Sequence, residues 1–338
     1  MLSLSHSSSN TNGTSMNRTI SIPSEVEYHR VLAGEKRRIG RGILAIVLLI
    51  GGMLVFNVLF TVAAALVNGP IEADGRAAYT PLFHAAGLAS VALLIPWSML
   101  IQRWLYGVRG ASLHSVLSRF RFDIFGRALL VILPVWVAVT AALYWSPLPQ
   151  ASWAYADVIW FLAATLLLTP LQGAGEEYGF RGLIFRIVGG WTRRPRAGLI
   201  VGILVSSVLF AVVHFSTDPV LNLNYLIFAA GIALIVWRTG GLEIAVVLHA
   251  GFNTLNFLFD AALGIDITEA YDRSAGVGTV LTILPAAVVI VAVLVVWVRT
   301  RRTGPALTPS MLEHSAGIAT DAPQGRVETP EETAARIG

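Results

Sequence analysis

The chain has 338 residues, of which 55% are hydrophobic and only 13% are charged, with a formal net charge of +4. An ordinary soluble domain carries about a quarter charged residues, so this composition excludes a water-soluble enzyme and favours a protein with a large lipid-facing surface. The sequence contains no cysteine, which excludes disulfides, thiolate metal ligands and a cysteine nucleophile.

The two ends of the sequence are polar. Residues 1–38 are rich in Ser, Asn and Thr near the start and have no apolar signal-peptide core. Residues 303–338 contain four prolines and few large apolar side chains. Such segments cannot bury enough apolar surface to fold. We therefore predict a disordered cytoplasmic tail at 1–38 and a disordered tail at 303–338, on either side of a membrane-embedded domain at 39–302.

Eight apolar segments follow one another between the tails. An α-helix needs roughly 20 apolar residues to cross a hydrocarbon core of about 30 Å. The predicted spans are, in chain order, 42–67, 82–102, 128–146, 156–175 (continuing as helix toward 188), 197–215, 221–237, 242–262 and 279–298. The predicted fold class is therefore an all-α polytopic membrane helix bundle of about eight transmembrane helices.

Basic loops alternate with loops that contain few basic residues. Arginines cluster before span one and after spans two, four, six and eight. In the other loops, the only basic residues are Arg76 and Arg273. Under the positive-inside rule, this alternation predicts that both termini are cytoplasmic. The basic residues form no nucleic-acid patch, so the expected partners are the lipid bilayer and a membrane-associated substrate. The segment 112–125 mixes arginines with Leu, Val and Phe and is predicted to be an amphipathic helix at the cytoplasmic interface.

Ionisable residues concentrate at 175–181, directly after an apolar segment. Charge at membrane depth is costly, which makes each such residue a candidate for function. Glu177 and Arg181 are four residues apart, so on a helix they can pair and play a structural role. Glu176 lies on a neighbouring face without a local counter-charge, which favours a general base. The alternative is that both glutamates pair with arginines and only hold helices together.

Two further spans carry polar side chains at helical spacing. His214 ends span five, four residues after Phe210, and alone such a histidine is more often a hydrogen-bonded core residue than a catalyst. His249 and Asn253 lie four apart in span seven and present two hydrogen-bonding groups on one side of the helix. That pair is either a polar clamp between helices or part of a site.

Together these residues supply what hydrolysis of an amide bond requires. A base must activate water, and hydrogen-bond donors must hold the developing oxyanion. The sequence has neither a Gly-x-Ser-x-Gly elbow nor a His-Glu-x-x-His pair. The remaining possibility is hydrolysis by a glutamate that is assisted by histidines. These residues would lie in a cavity among spans four, five and seven.

Three motifs, in order along the chain, resemble those of the CPBP intramembrane proteases, which include the type II CAAX-prenyl endopeptidases and bacterial relatives linked to bacteriocin self-immunity. They are Glu176-Glu177-x-x-x-Arg181, Phe210-x-x-x-His214 and His249-x-x-x-Asn253. The resemblance covers about residues 125–262. It implies an intramembrane endopeptidase that hydrolyses peptide bonds of membrane-associated substrates.

The resemblance also implies roles for single residues. Glu176 would activate the attacking water with help from His214, and His249 and Asn253 would form the oxyanion hole. Supporting roles would fall to Glu177, Arg181 and Phe210. Members of the family are often called metalloproteases, and Glu176, His214 and His249 could hold zinc. The resemblance favours a mechanism without a metal or other cofactor, with zinc as the alternative.

Two other functions remain open at this point. The chain could be a non-catalytic scaffold or a bacteriocin-immunity-type protein that binds a partner through the same polar cavity. It could also be a secondary transporter in which buried Glu176 and the histidines relay protons, although we see no internal repeat of the kind common in transporters. Lys36 is the only lysine beside 23 arginines, which favours a bacterial plasma membrane and an unprenylated substrate.

Overall fold

The structure is a computed structural model and describes residues 22–34, 36–68, 79–145, 153–267 and 272–310. Over these residues the chain is helical, and the only β pairing is two isolated bridges. The all-α fold class is therefore confirmed. The helices are α1 Ile39–Asn68, α2 Pro81–Ala92, α3 Leu94–Tyr106, α4 Phe122–Leu143, α5 Tyr155–Glu177, α6 Phe185–Gly189, α7 Pro195–Val212, α8 Pro219–Thr239, α9 Glu243–Leu263 and α10 Leu284–Thr300, with a π-helical segment at Tyr178–Ile184 between α5 and α6.

Eight helical segments within the described residues are long and apolar enough to cross a membrane, so the chain is a multi-pass integral membrane protein. Their bounds agree with the predicted spans within six residues when the fourth span is taken to the predicted end of its helix near 188. Two spans are composite: α2 and α3 form the second, and α5, the π-helical segment and α6 form the fourth. The eighth includes a 3-10 turn before α10.

Local sequence signals set the ends of these helices. Pro81, Pro195 and Pro219 stand at the starts of α2, α7 and α8, where the missing N–H costs no helical hydrogen bond. Asp218 caps α8 by accepting hydrogen bonds from the backbone N–H groups of the first turn at 2.8 and 2.9 Å. Gly240 ends α8 with φ of 67°, a left-handed conformation that favours glycine.

Helix α5 packs against both α2 and α9. A Cβ added at Gly173 would lie 2.8 Å from the Cα of Ala250 in α9. A Cβ added at Gly175 would overlap the carbonyl oxygen of Val91 in α2. These two glycines therefore allow α5 to approach both neighbours closely, and this contact places Glu176 between them.

The prediction of an amphipathic interfacial helix at 112–125 is wrong for residues 112–121. This segment starts in a 3-10 turn at Gly110–Leu113 and continues as a partly buried loop, and α4 begins only at Phe122. Arg121 forms a bidentate pair with buried Glu243, at 2.9 and 2.6 Å. Buried Arg186 donates to the carbonyl oxygen of Ser112 at 2.7 Å. The polar groups of the loop thus find partners inside the protein, which sequence periodicity does not reveal.

Short parts of both predicted tails lie within the described residues. In residues 22–34, here called the N-terminal strap, Tyr28 and His29 are buried, and the hydroxyl of Tyr28 donates to the carbonyl of Leu113 at 2.5 Å. Glu27 forms an antiparallel bridge with Leu307 in the polar segment after α10. The buried rings of Tyr28 and His29 and the backbone hydrogen bonds to Thr308 hold the strap against the rest of the protein. Residues 1–21 and 311–338, also predicted as tails, lie outside the described residues.

Candidate active site

Two adjacent carboxylates project from the end of α5. Glu177 is fully buried and accepts a hydrogen bond from Nη1 of Arg181 at 3.0 Å, the pairing that their spacing predicted. The guanidinium of Arg181 lies 4.1 Å from the ring centroid of Phe210. The π-helical segment begins directly after the carboxylates. Such π-helical segments occur frequently at functional sites.

Glu177 has a second partner, which the sequence did not predict. Its Oε1 also accepts a hydrogen bond from Nδ1 of His249, at 2.7 Å. With Nδ1 used as the donor, the Nε2 atom of His249 is 3.7 Å from Oε2 of Glu176. Glu177 therefore joins Arg181 to His249 and fixes the orientation of the imidazole next to the second carboxylate.

Gln172, one turn before Glu176, links two of the candidate residues. Its Nε2 donates to Oε1 of Glu176 at 2.5 Å, and its Oε1 accepts from Nδ2 of Asn253 at 3.1 Å. Gln172 was missed by the sequence analysis, although its spacing of four residues from Glu176 within an apolar helix was a usable signal. The amide of Asn253 retains its second N–H for another acceptor.

His214 lies just beyond the end of α7 at Val212, rather than inside the span. Its Nδ1 donates to the carbonyl oxygen of Phe210 at 2.7 Å, so the neutral ring keeps an unprotonated Nε2. The imidazole stacks on the ring of Tyr225 with centroids 4.1 Å apart. His214 is thus held with one nitrogen available as a proton acceptor.

All four candidate residues, Glu176, His214, His249 and Asn253, line a cavity of about 650 Å³. Spans one, two, four, five, six, seven and eight all contribute lining residues. Oε2 of Glu176 is buried and has no hydrogen-bond partner among the described groups. The cavity therefore combines a free carboxylate oxygen, a free imidazole nitrogen and an amide.

The predicted zinc set shares this cavity without forming a ligand cluster. Among the described residues, no group of three His, Cys, Asp or Glu side chains is arranged to hold a metal ion. His214 and His249 each use Nδ1 in a protein hydrogen bond and keep Nε2 free. Because the described residues form no three-ligand cluster, the chemistry below is derived from the protein groups alone.

Comparisons with known proteins give one family match and one relative of the chain. Residues 156–255 match the family model described as type II CAAX prenyl endopeptidase Rce1-like. This segment contains every motif residue, so the family resemblance predicted from the motifs is confirmed. Uncharacterized protein YyaK of Bacillus subtilis (strain 168) is 31% identical over 131 residues, which are 37% of this chain and 40% of YyaK. The alignment thus spans less than half of that relative. No solved structure gives a significant match.

Proposed function

We propose that this chain, whose residues 156–255 match the model of the Rce1-like type II CAAX prenyl endopeptidases, is an intramembrane endopeptidase that hydrolyses membrane-associated peptides or proteins. One observation carries the proposal. Glu176 on α5, His214 just after α7, and His249 and Asn253 on α9 line one cavity, and hydrogen bonds through Gln172 and Glu177 orient three of them.

Glu176 activates the attacking water. Its Oε1 is held by Gln172, while its Oε2 has no hydrogen-bond partner in the described part of the chain. A water on Oε2 transfers a proton to the carboxylate as its oxygen attacks the scissile carbonyl carbon. His214 accepts a hydrogen bond from the same water through its free Nε2, which aligns the water for the attack.

His249 and Asn253 stabilise the oxyanion that forms on the carbonyl oxygen. Asn253 donates its second N–H. His249 uses the proton on Nδ1 in its bond to Glu177, so it donates from Nε2 as an imidazolium, with both ring nitrogens protonated. Donors that are fixed before the reaction contribute most to this kind of stabilisation. When the C–N bond breaks, the proton on Glu176 passes to the leaving nitrogen, which gives a carboxylic acid and an amine.

The substrate in this proposal is a peptide that reaches the cavity from or near the bilayer. The alternation of basic and basic-poor loops supports an orientation with both termini in the cytoplasm. The excess of arginine over lysine supports a bacterial source and therefore an unprenylated substrate.

The test is turnover of fluorogenic lipidated and unlipidated peptides by the purified, detergent-solubilised protein. We expect Glu176→Gln to lower kcat by about 100-fold or more, because the general base is lost. The matched control is Asp157→Asn. Asp157 is an acidic residue in the first turn of the same helix, and this variant should keep full turnover.

The same assay with a strong chelator separates the two mechanisms. Turnover that persists under chelation and disappears in Glu176→Gln supports the metal-free reaction. Loss under chelation, restored by zinc, would favour the zinc mechanism instead. If the folded wild type cleaves no peptide, the endopeptidase proposal fails and a non-catalytic scaffold or immunity-type protein becomes the better reading.

A further inference from the structure

Two helices of the cavity wall carry polar side chains at the same helical spacing. Positions i, i+4, i+7 and i+11 of an α-helix lie on one face. Each series covers about 16 Å of helix, so a polar face extends well beyond the candidate site on both helices. At this spacing α5 carries Thr165, Thr169, Gln172 and Glu176, and α9 carries His249, Asn253, Asn256 and Asp260.

The two polar faces meet because α5 and α9 pack against each other and belong to spans that cross the membrane in opposite directions. Next to the candidate site, Glu176 lies 3.7 Å from His249, and Gln172 accepts from Asn253 at 3.1 Å. Farther along α5, Oγ1 of Thr169 is buried and has no hydrogen-bond partner among the described groups. Polar atoms of this kind in protein interiors are satisfied by water. The interface between α5 and α9 is therefore suited to hold water at a distance from the reacting groups.

A second polar cluster lies at the far end of the two series. Both ring nitrogens of His84 in α2 form hydrogen bonds with hydroxyl groups, of Tyr79 at 2.7 Å and of Thr165 at 3.1 Å. The hydroxyl of Tyr144 donates to Oδ1 of buried Asp260 at 2.5 Å. These five residues are here called the distal cluster. They belong neither to the family motifs nor to the proposed reaction.

The distal cluster reaches the same cavity as Glu176. Polar residues line the cavity from one to the other and are here called the polar strip: Tyr79, His84, Asn256, Asn253 and Gln172. The strip follows α2, α5 and α9, and α5 packs against both of the other helices. His214 stands at the end of α7, which packs against α8 instead. The cavity thus has a polar wall that is separate from the wall with His214.

The cavity opens on the face opposite the chain termini. Its described lining residues outside the spans are Tyr79, residues 213–215 and Arg273, which precede span two or follow spans five and seven. Odd-numbered spans end on the face opposite the termini, so all of these residues lie there. Phe215 is 73% exposed, which brings the cavity to the surface at this point. Nη1 of Arg273 donates to the carbonyl oxygen of His214 at 2.8 Å and fastens the two loops to each other.

The side with the termini is closed in the described part of the chain. None of the described loops that follow spans two, four and six contributes a lining residue. Directly beyond Glu176 on that side stand the fully buried pair of Glu177 and Arg181 and the buried π-helical segment. Water therefore has its way to Glu176 from the opposite face.

We propose that the polar strip conducts water to Glu176 from the face opposite the chain termini, so that water and peptide reach the site along different walls. This inference rests on the proposed endopeptidase function, which consumes one water for each peptide bond. A peptide held between His214 and Asn253 fills the cavity next to α7, so the strip is the route that stays open to water. Its amides, hydroxyl and imidazole give the water hydrogen-bond partners at membrane depth.

The first test measures water access without catalysis. The chain contains no cysteine, so single cysteines can be placed in Glu176→Gln and treated with a membrane-impermeant cationic methanethiosulfonate. The reagent attacks the thiolate, which forms only where water reaches the sulfur. We expect Asn256→Cys to react about 100-fold or more faster than Leu167→Cys, because apolar surroundings keep a thiol protonated. Leu167 is the matched control, since it is 72% exposed but lies within the fourth span.

Two exposed positions report the side of the membrane. Ser274 follows span seven and Thr303 follows span eight, so they lie on opposite faces. In intact cells and in inverted vesicles, Asn256→Cys should react wherever Ser274→Cys reacts. Reaction only where Thr303→Cys reacts, or a rate equal to that of Leu167→Cys, would overturn the proposal. His84→Cys, at the far end of the strip, should behave in the same way and replaces Asn256→Cys if that variant does not fold.

The second test links the strip to turnover. Asn256→Leu, which interrupts the strip, should lower kcat about 10-fold with KM little changed and should slow the labelling of Gln172→Cys. Asn256→Ser keeps a hydrogen-bonding group and should stay close to the wild type. A purely structural role would instead raise KM and lower thermal stability in both variants, and this pattern, or an unchanged kcat in Asn256→Leu, overturns the proposal.

The two tests separate the strip from the reaction. Cleavage by the wild type together with an unreactive Asn256→Cys would leave the endopeptidase function standing while the water route fails. A reactive Asn256→Cys in a protein that cleaves no peptide would support the water route while the endopeptidase function fails.

Discussion

Glu177→Gln should be among the most destabilising single changes in the site. Glu177 and Arg181 are both fully buried and are bonded at 3.0 Å, and Glu177 also accepts from His249 at 2.7 Å. The substitution leaves a buried guanidinium without a counter-charge, and breaking such a pair costs about 3–5 kcal/mol. We expect this loss in the free energy of unfolding, measured by SDS titration of the protein in mixed micelles.

Asp123→Asn is the matched control for this prediction. Asp123 and Arg127 have the same spacing of four residues and an even shorter contact of 2.5 Å, but their side chains are 67% and 73% exposed. An exposed pair of this kind contributes about 0.5 kcal/mol or less. The two variants thus differ in burial and not in spacing.

A double substitution tests the physical cause. In Glu177→Gln/Arg181→Met the uncompensated charge is gone, so most of the lost stability should return. If the double variant is less stable than Glu177→Gln, or if Glu177→Gln and Asp123→Asn cost the same, the assignment of the stability to a buried charge pair is refuted.

Three other predictions concern positions around the site. Gln172→Leu should lower kcat about 10- to 100-fold with KM little changed, since Glu176 and Asn253 lose their common partner; an equal change in KM would contradict a positioning role. Gly173→Val should reduce both thermal stability and turnover by forcing α5 away from α9, whereas Gly51→Ala, where a Cβ meets nothing within 4 Å, should preserve both. Burial lowers the pKa of His29 from 6.5 to about 4, so the undocked strap takes up a proton first and docking should weaken as the pH falls from about 6.5 toward 4. Hydrogen-exchange protection factors of the strap amides that stay constant over this range would refute this.

The membrane architecture was accessible from sequence because bilayer thickness fixes the length of every span. Eight apolar segments separated by short polar loops leave little freedom, and even the irregular fourth span was expected to continue toward residue 188, where the structure ends it at Gly189. The loop at 112–121 was not predictable in this way. The arginines of this loop fit an interfacial helix as well as they fit a loop packed on the protein. Only the three-dimensional position of buried Glu243 shows that Arg121 points inward.

The residue types of the candidate site, and the helices that carry them, could be predicted from the sequence. Glu176, His249 and the pair of Glu177 with Arg181 follow from ionisable groups at membrane depth. The bond between His249 and Glu177 was not accessible, because helical spacing does not give the rotation of α9 against α5. Arg273 was counted only as a loop charge, since its contact with His214 joins positions 59 residues apart.

The pairing of the N-terminal strap with the segment after α10 has a consequence for the order of biosynthesis. Val26 donates to the hydroxyl oxygen of Thr308 at 3.0 Å, across 282 residues of sequence. During translation the strap therefore has no lasting partner at this position until the final span has left the ribosome. The same strap also holds the end of α6, in the composite fourth span whose α5 carries the two glutamates, through the bond from Arg30 to the carbonyl of Gly189 at 2.6 Å. The contacts that hold the strap are thus completed only after nearly the whole protein has been synthesised.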